Sequence, residues 1–245
     1  MIRTIFVVGL TFVYIFIFGP PALLISFVSG SARVLYIVGR AGAKMAFFLG
    51  GMSLEVYGHR ELPVPARARV YVPNHESIID PVVVFLNIPE DIAALGKKEF
   101  FRLPILGRAC RMAGFVVVDR QNPEQRVKAR EKAIRLMKEK GRSFLVFAEG
   151  TRSTDGRLRP FKKGAAIMAI EAQAEIVPIA VHGGFALWPK GRWYFRPGPV
   201  QVRFLDPIST DGMTLDDKDR LTEECRSRIA ACLARIDTGR STGSP

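Results

Sequence analysis

A histidine and an aspartate five positions apart are the residues of this chain best suited to moving a proton. Residues 72–81 contain Asn74, His75 and Asp80 directly after a β-rich run. On a single helix His75 and Asp80 would lie about 140° apart, so they meet only if a strand ends, the chain turns, and a helix begins near Pro81. Asp80 would then accept a hydrogen bond from one imidazole nitrogen while the other takes a proton.

The same residues also have a structural interpretation. Asp80 stands immediately before Pro81, which is a favourable place for a helix N-cap. A single histidine near a strand end is also more often a hydrogen-bonded structural residue than a base. From these residues alone, both interpretations stay open.

A second loop, residues 147–153, follows another β-rich run and offers groups for holding an anion. Gly150 permits a tight turn and a close approach to a ligand. Thr151 supplies a hydroxyl, and Arg152 supplies a planar fork suited to phosphate. Glu149 is equally well placed to be an internal salt-bridge partner of Arg152, so the loop alone predicts a structural turn as readily as a binding site.

Short β-rich runs alternate with helical stretches through the rest of the chain, which predicts an α/β fold with a central sheet flanked by helices. The predicted strands are 53–57, 70–73, 115–119, 144–148, 176–181 and 200–205. A helix should begin after the cap residue Asn122 and end at Gly141. Two further helices are predicted over 165–174 and 215–236.

The first fifty residues predict a membrane-associating segment of two helices. Residues 4–32 carry no charge. Pro20 and Pro21 should bend or end the first helix, leaving a piece of about 24 Å, short of the hydrocarbon core. The charges that follow, Arg33, Arg40 and Lys44, share one helical face and indicate an interfacial helix. A cleaved signal peptide is the alternative.

Net charge and composition indicate which class of partner the chain binds. Lys and Arg total 36 against 23 Asp and Glu, a net charge of +13, which favours an anionic partner. The apolar N-terminus favours a membrane over nucleic acid, and the basic residues lack the aromatic interleaving of nucleic-acid modules. Three Cys without a CxxC pair, and the absence of an HExxH spacing, argue against a disulfide framework and a zinc site. We expect no bound metal.

Four ordered blocks resemble those of the glycerolipid acyltransferase superfamily, most closely the bacterial 1-acylglycerol-3-phosphate acyltransferases. The blocks are N-H-x-x-x-x-D at 74–80, G-x-x-F-x-x-R at 114–120, F-P-E-G-T-R-S at 147–153 and V-P-I at 177–179. Two positions depart from the family pattern, Val117 in place of Phe and Ala148 in place of Pro. Neither is a reacting group, so these departures bear on acceptor preference more than on the reaction.

The resemblance implies a role for each matching residue. His75 would be the general base and Asp80 its orienting carboxylate. Acceptor binding would involve the residues Lys97, Arg120, Glu149, Gly150, Thr151 and Arg152. Of these, Arg120 and Arg152 would hold the acceptor phosphate, and Lys97 is the weakest assignment because Lys98 is adjacent.

The implied reaction transfers a fatty acyl group from a thioester, acyl-CoA or acyl carrier protein, to the free hydroxyl of 1-acylglycerol-3-phosphate, giving phosphatidic acid. No cofactor beyond the donor is expected, and no nucleic acid. The expected organisation is a membrane segment over 1–50, an α/β domain over 51–237 and a disordered tail over 238–245. The domain should face the cytoplasm at the bacterial inner membrane, because basic residues after the apolar run outnumber Arg3.

Two other functions remain open on the sequence. One is a sibling acyltransferase that uses the same base with glycerol-3-phosphate or another lysophospholipid as acceptor. The other is a basic protein that binds anionic membranes without catalysis, and that protein would release no thiol from an acyl thioester.

Overall fold

A seven-stranded sheet lies at the centre of the part of the chain that the computed structural model describes, which is residues 1–58, 67–119 and 121–241. The strands are β1 (Met52–Tyr57), β2 (Arg69–Pro73), β3 (Ala93–Lys97), β4 (Val116–Val118), β5 (Phe144–Leu145), β6 (Glu175–His182) and β7 (Gly198–Phe204). Their order across the sheet is β1-β7-β6-β2-β5-β3-β4. The α/β fold with a central sheet flanked by helices is therefore confirmed.

Helices lie on both faces of this sheet. They are α1 (Ile2–Ser29), α2 (Arg33–Gly50), α3 (Asp80–Asn87), α4 (Pro104–Met112), α5 (Pro123–Lys140), α6 (Gly164–Ala172), α7 (Gly184–Leu187) and α8 (Lys218–Ser241). One apolar core contains buried side chains of α5, α6 and α8, such as Ala133, Met168 and Ile229. The other contains Phe47 of α2 and Val83 of α3.

The strand directions decide where a site can form. Every neighbouring pair is parallel except β6 with β7, which is antiparallel. The carboxyl ends of β2, β5 and β3 therefore open at one edge, and ligands of open parallel sheets bind at such an edge. Both loops singled out from the sequence leave the sheet there.

Three elements escaped the sequence analysis, namely β3, α4 and the four-residue helix α7. Strand β3 consists of Ala-Ala-Leu-Gly-Lys, a composition poor in the β-branched and aromatic residues that mark strands. Its pairing with β4 and β5 stabilises it instead. Helix α4 is only nine residues long, too short for a clear helical period.

The expected break of the first helix at Pro20 and Pro21 is wrong. Both prolines lie inside α1, which continues for 28 residues, about 42 Å. Proline removes one backbone hydrogen bond and crowds the preceding turn, so the helix needs outside support to continue. That support comes from packing, because Tyr14 donates to the carbonyl of Val38 in α2 at 2.9 Å and Gly19 lies against Ile105 of α4. By length and composition α1 is able to cross a membrane.

Helix α2 also differs in one respect from its expected interfacial face. Arg33 and Lys44 are exposed, but Arg40 turns toward the domain. Its guanidinium donates to the carbonyls of Ile88 and Glu90 at 3.0 Å each, just beyond the end of α3. Arg40 therefore fixes α2 to the α/β domain.

The C-terminal half follows the expectations more closely. The side chain of Asn122 caps α5, accepting from the backbone of Gln125, and Gly141 ends the helix with a positive φ of 58°. Helix α8 continues to Ser241, so residues 238–241 of the expected disordered tail are helical. Residues 242–245 lie outside the described part of the chain. All three cysteines are buried and unbridged.

The α1–α2 contact yields a stability prediction. A Cβ added at Gly42 would lie 2.6 Å from the Tyr14 ring, whereas one added at Gly39 on the same helix would lie 3.8 Å from Phe85. Gly42→Ala should therefore destabilise the chain by about 1–3 kcal/mol through overpacking. Gly39→Ala is the matched control and should be neutral or slightly stabilising. Thermal unfolding in detergent measures both, and equal melting temperatures for the two variants would contradict this packing.

Candidate active site

His75 and Asp80 meet at the carboxyl end of β2. The strand ends at Pro73 and α3 begins with Asp80, so the intervening loop turns the chain back on itself. The imidazole Nδ1 lies 2.9 Å from Oδ2 of Asp80. The side chain of Asp80 is completely buried, and that of His75 is 11% exposed. The geometry expected for a strand end, a turn and a new helix is confirmed.

Asp80 is not the N-cap that the sequence also allowed, because that position belongs to Ile79. Asp80 is instead the first residue of α3, where negative charge suits the helix dipole. Its Oδ2 accepts backbone hydrogen bonds from Glu76 and Ser77 at 2.7 Å each. One carboxylate oxygen therefore organises both the loop backbone and the imidazole.

This arrangement selects the tautomer of His75. When Asp80 is ionised it accepts a hydrogen bond from Nδ1–H of the imidazole. The basic lone pair of the ring then lies on Nε2. Burial raises the pKa of Asp80 to about 7, opposed by the two backbone N–H groups and by the positive charge of Arg152. Acidification below neutral pH therefore weakens the hydrogen bond to the imidazole, because it protonates the carboxylate of Asp80.

The loop after β5 holds His75 in place. The carboxylate Oε1 of Glu149 accepts the backbone N–H of His75 at 2.6 Å. The backbone N–H of Ser153 donates to the carbonyl of His75 at 2.8 Å. The ring of Phe147 packs on the imidazole with centroids 4.1 Å apart. The two sequence motifs thus form one structural unit.

Asn74 supports this unit from the neighbouring strand. Its side-chain amide donates to the carbonyl of Val181 at 2.9 Å and accepts from the N–H of the same residue at 2.7 Å. These two bonds fasten the residue before the histidine to β6. The asparagine of the motif is therefore a buried clamp that fixes the backbone beside His75.

Glu76 forms a second clamp, which the sequence analysis did not single out. Its carboxylate accepts the backbone N–H of Phe185 in α7 at 3.2 Å. Burial, together with the negative charge of Asp80, raises the pKa of Glu76 to about 8. Its position between His75 and Ser77 was the available signal, but an acidic residue in a loop usually faces solvent.

Two cations lie at the second loop: Arg152 is part of it, and Lys162 reaches its glycine from further along the chain. Gly150 has a φ of +74°, and a Cβ there would lie 2.8 Å from the ammonium of Lys162, so the lysine covers the turn. Arg152 and Thr151 are half-buried. Lys162 was not predicted, because the doublet it forms with Lys163 has the pattern of a solvated surface.

The other predicted residues have different outcomes. Glu149 is buried and accepts backbone hydrogen bonds from His75 and from Arg159, at 2.6 and 3.2 Å, so it acts as a backbone acceptor instead of the salt-bridge partner that the sequence also allowed. Lys97 is exposed at the end of β3, which β5 separates from β2, about 10 Å away. Its neighbour Lys98 pairs with Asp119 at 2.6 Å. Arg120 lies outside the described residues.

The assembled site combines an imidazole, a buried carboxylate that orients it, and two cations at the neighbouring loop, of which Arg152 is close enough to lower the pKa of Asp80. Such a site can remove a proton from a hydroxyl while binding an anionic group of the same molecule. A buried carboxylate held by backbone donors also keeps the imidazole from rotating. These are the requirements of acyl or group transfer to an alcohol.

Comparison with known proteins gives consistent matches. Residues 53–182 match the family model described as Acyltransferase. The chain is 35% identical over 187 residues to 1-acyl-sn-glycerol-3-phosphate acyltransferase of Limnanthes douglasii, covering 74% of this chain and 66% of that protein, just under two thirds of its length. It is 32% identical over 197 residues to the human alpha enzyme of that name, covering 80% and 69%.

A solved structure is similar along almost its whole length. The crystal structure of the 1-acyl-sn-glycerophosphate (LPA) acyltransferase PlsC from Thermotoga maritima superposes with a TM-score of 0.84 at 25% identity. The superposition covers 96% of this chain and 95% of that one. It therefore includes the N-terminal helices as well as the sheet.

The buried Glu76 gives a prediction about pH and stability. Between its unfolded pKa of 4.5 and its folded pKa of about 8, the folded chain retains a proton that the unfolded chain releases. Stability therefore falls as pH rises through this window, by up to about 1.4 kcal/mol per unit. Because Asp80 and Glu149 also have raised pKa values, Glu76→Gln should remove only the contribution of Glu76 and make the slope shallower when urea unfolding is measured from pH 5 to 8. The exposed Glu223→Gln should leave it unchanged, and a parent-like slope in Glu76→Gln would contradict the burial argument.

Proposed function

The chain belongs to the acyltransferase family, and on that premise we propose that it transfers a fatty acyl group from a thioester to the free hydroxyl of 1-acylglycerol-3-phosphate, giving phosphatidic acid. The observation that carries the proposal is the 2.9 Å contact between Nδ1 of His75 and Oδ2 of Asp80 beside the cations of the second loop. The names of the aligned relatives support the same acceptor.

His75 acts as the general base in this proposal. Nε2 takes the hydroxyl proton as the acceptor oxygen bonds to the thioester carbonyl carbon. The carbon–sulfur bond then breaks, and the imidazolium returns the proton to the departing thiolate. Asp80 stays ionised and stabilises the imidazolium. Because the acceptor oxygen attacks the thioester directly, the enzyme forms no covalent intermediate.

Arg152 and Lys162 bind the acceptor phosphate. The guanidinium of Arg152 presents paired donors that match phosphate oxygens, and Lys162 adds a point charge at the glycine turn. Arg120 is assigned to the same phosphate from its place in the family motif alone. Binding the phosphate beside the dyad places the hydroxyl near Nε2, which converts a bimolecular encounter into an oriented one.

The N-terminal helices hold the enzyme on the membrane that contains its acceptor. Phe195 donates its backbone N–H to Oγ1 of Thr4 at 3.2 Å, and Ile105 packs on Gly19. About 22 Å of α1 is therefore fixed beside the catalytic domain. Large apolar side chains along this stretch are exposed, including Phe6, Phe12 and Phe16. We place the domain on the cytoplasmic face from the basic residues of α2.

The donor is acyl-CoA or acyl carrier protein. Both are anionic, and a chain with a net charge of +13 attracts either one. Measuring thiol release with each donor in turn distinguishes them. Lysophosphatidate and lysophospholipids with other head groups, offered as alternative acceptors, test the acceptor assignment in the same assay.

Removing the base should abolish most of the activity. His75→Ala should lower thiol release from acyl-CoA in the presence of lysophosphatidate by about 10²–10⁴-fold, because general base catalysis contributes that much. Asp80→Asn should also lower kcat, because Asn cannot neutralise the imidazolium. Co-flotation with vesicles, which does not depend on His75, should be unchanged. Turnover by His75→Ala close to that of the parent would remove His75 from this role.

Arg152→Ala separates binding from chemistry. The KM for lysophosphatidate should rise by about 10- to 100-fold, the value of a charged hydrogen bond, with little change in the KM for the donor. Arg126→Ala, an exposed arginine of α5, is the matched control and should keep both values. An effect of Arg152→Ala confined to the donor would show that the phosphate assignment is wrong.

A further inference from the structure

The segment between α7 and β7 carries an unusual combination of side chains. Residues 188–197, here the WPK segment, read Trp-Pro-Lys-Gly-Arg-Trp-Tyr-Phe-Arg-Pro and contain both tryptophans of the chain. They include three cations, Lys190, Arg192 and Arg196, and no acidic residue. Trp193 is 56% exposed, although the indole is the largest apolar side chain a protein has.

The WPK segment is held in a defined conformation. The indole of Trp188 donates to the carbonyl of Arg192 at 2.9 Å and packs on Phe195 with ring centroids 5.3 Å apart. The guanidinium of Arg192 lies 5.4 Å from the ring centre of Tyr194, a cation–π contact. The fold therefore presents Trp193 outward on a supported loop.

One side of the WPK segment adjoins the start of α1. The backbone N–H of Phe195 donates a hydrogen bond to the hydroxyl of Thr4, and Arg3 and Pro197 both lie against Gly51. Trp193, which is exposed and two residues before Phe195, therefore lies near the N-terminal end of α1. Arg3 adds a fourth cation to the three within the segment.

The first residues of the WPK segment contact the loop between β2 and α3, residues 74–79, here the catalytic loop because it carries His75. The hydroxyl of Ser77 donates to the carbonyl of Trp188 at 2.7 Å, and Ser77 forms an isolated β-bridge with Pro189. The backbone N–H of Ser77 also donates to Asp80. A single residue thus joins the segment to the carboxylate that orients His75.

We propose that the WPK segment is a second membrane-contact element, which inserts Trp193 into the head-group region of an anionic bilayer and positions the catalytic loop there. This proposal rests on the proposed membrane association of α1. Tryptophan and tyrosine prefer the membrane interface, and lysine and arginine bind anionic head groups. Continuity with the exposed apolar side chains of α1 favours a lipid surface over a soluble protein partner.

Fluorescence tests the proposal directly, because the chain has only two tryptophans. The full chain is bound to phosphatidylcholine–phosphatidylglycerol vesicles that contain brominated lipids, and the parent is compared with Trp193→Phe. The difference between the two is the signal of Trp193, so no variant at Trp188 is required. We expect this signal to be strongly quenched by bromine and shielded from aqueous iodide relative to detergent, while Trp188 responds much less.

The outcomes separate this proposal from the one on which it rests. If the chain floats with vesicles but Trp193 remains accessible to iodide and insensitive to bromine, the WPK segment faces water or another protein and the inference is overturned. If the chain does not float at all, the membrane association of α1 fails together with it.

A kinetic measurement tests whether the membrane contact of Trp193 supports acyl transfer to an acceptor in the bilayer. Trp193→Glu should lower thiol release about tenfold with a vesicle-embedded acceptor and leave it unchanged with a short-chain acceptor below its critical micelle concentration. A structural defect would lower both rates equally, and that result would overturn the membrane role.

Discussion

The position of His75 depends on hydrogen bonds that its own backbone makes to the loop after β5. Glu149 receives its N–H and Ser153 donates to its carbonyl. Strand β5 itself is only two residues long, so these bonds do much of what a longer strand pair would otherwise do. A displacement of either loop therefore moves His75 and Arg152 together, and the geometry between them is maintained.

That constraint requires three carboxyl groups in a small buried volume. Burial raises the pKa of Glu76 to about 8 and those of Asp80 and Glu149 to about 7. Each accepts backbone hydrogen bonds, which lower the cost of burial without abolishing it. The site is thus less stable near neutral pH than in mild acid, because these carboxyl groups lose their protons without leaving the protein interior.

The sequence was informative where the chemistry is local. The offset between His75 and Asp80, the cap at Asn122 and the alternation of strands with helices followed from residue types and spacing. The resemblance to a known family added the prediction that the second loop binds the acceptor. The individual roles in acceptor binding and catalysis stay predictions that the kinetic variants test.

What the sequence did not predict depends on tertiary contacts. Strand β3 has weak intrinsic propensity and forms because its neighbours pair with it. Pro20 and Pro21 break an isolated helix, yet α1 continues because α2 and α4 support it. Arg40 donates to carbonyls near the end of α3, and Lys162 contacts Gly150 of the second loop. No local pattern contains such information.

The most direct test is a crystal structure of the chain with lysophosphatidate and an unreactive thioether analogue of the acyl donor. The account predicts the free hydroxyl within about 2.6–3.2 Å of Nε2 of His75, with the phosphate on Arg152. A hydroxyl directed away from the imidazole, or a phosphate bound away from the loop after β5, would contradict it.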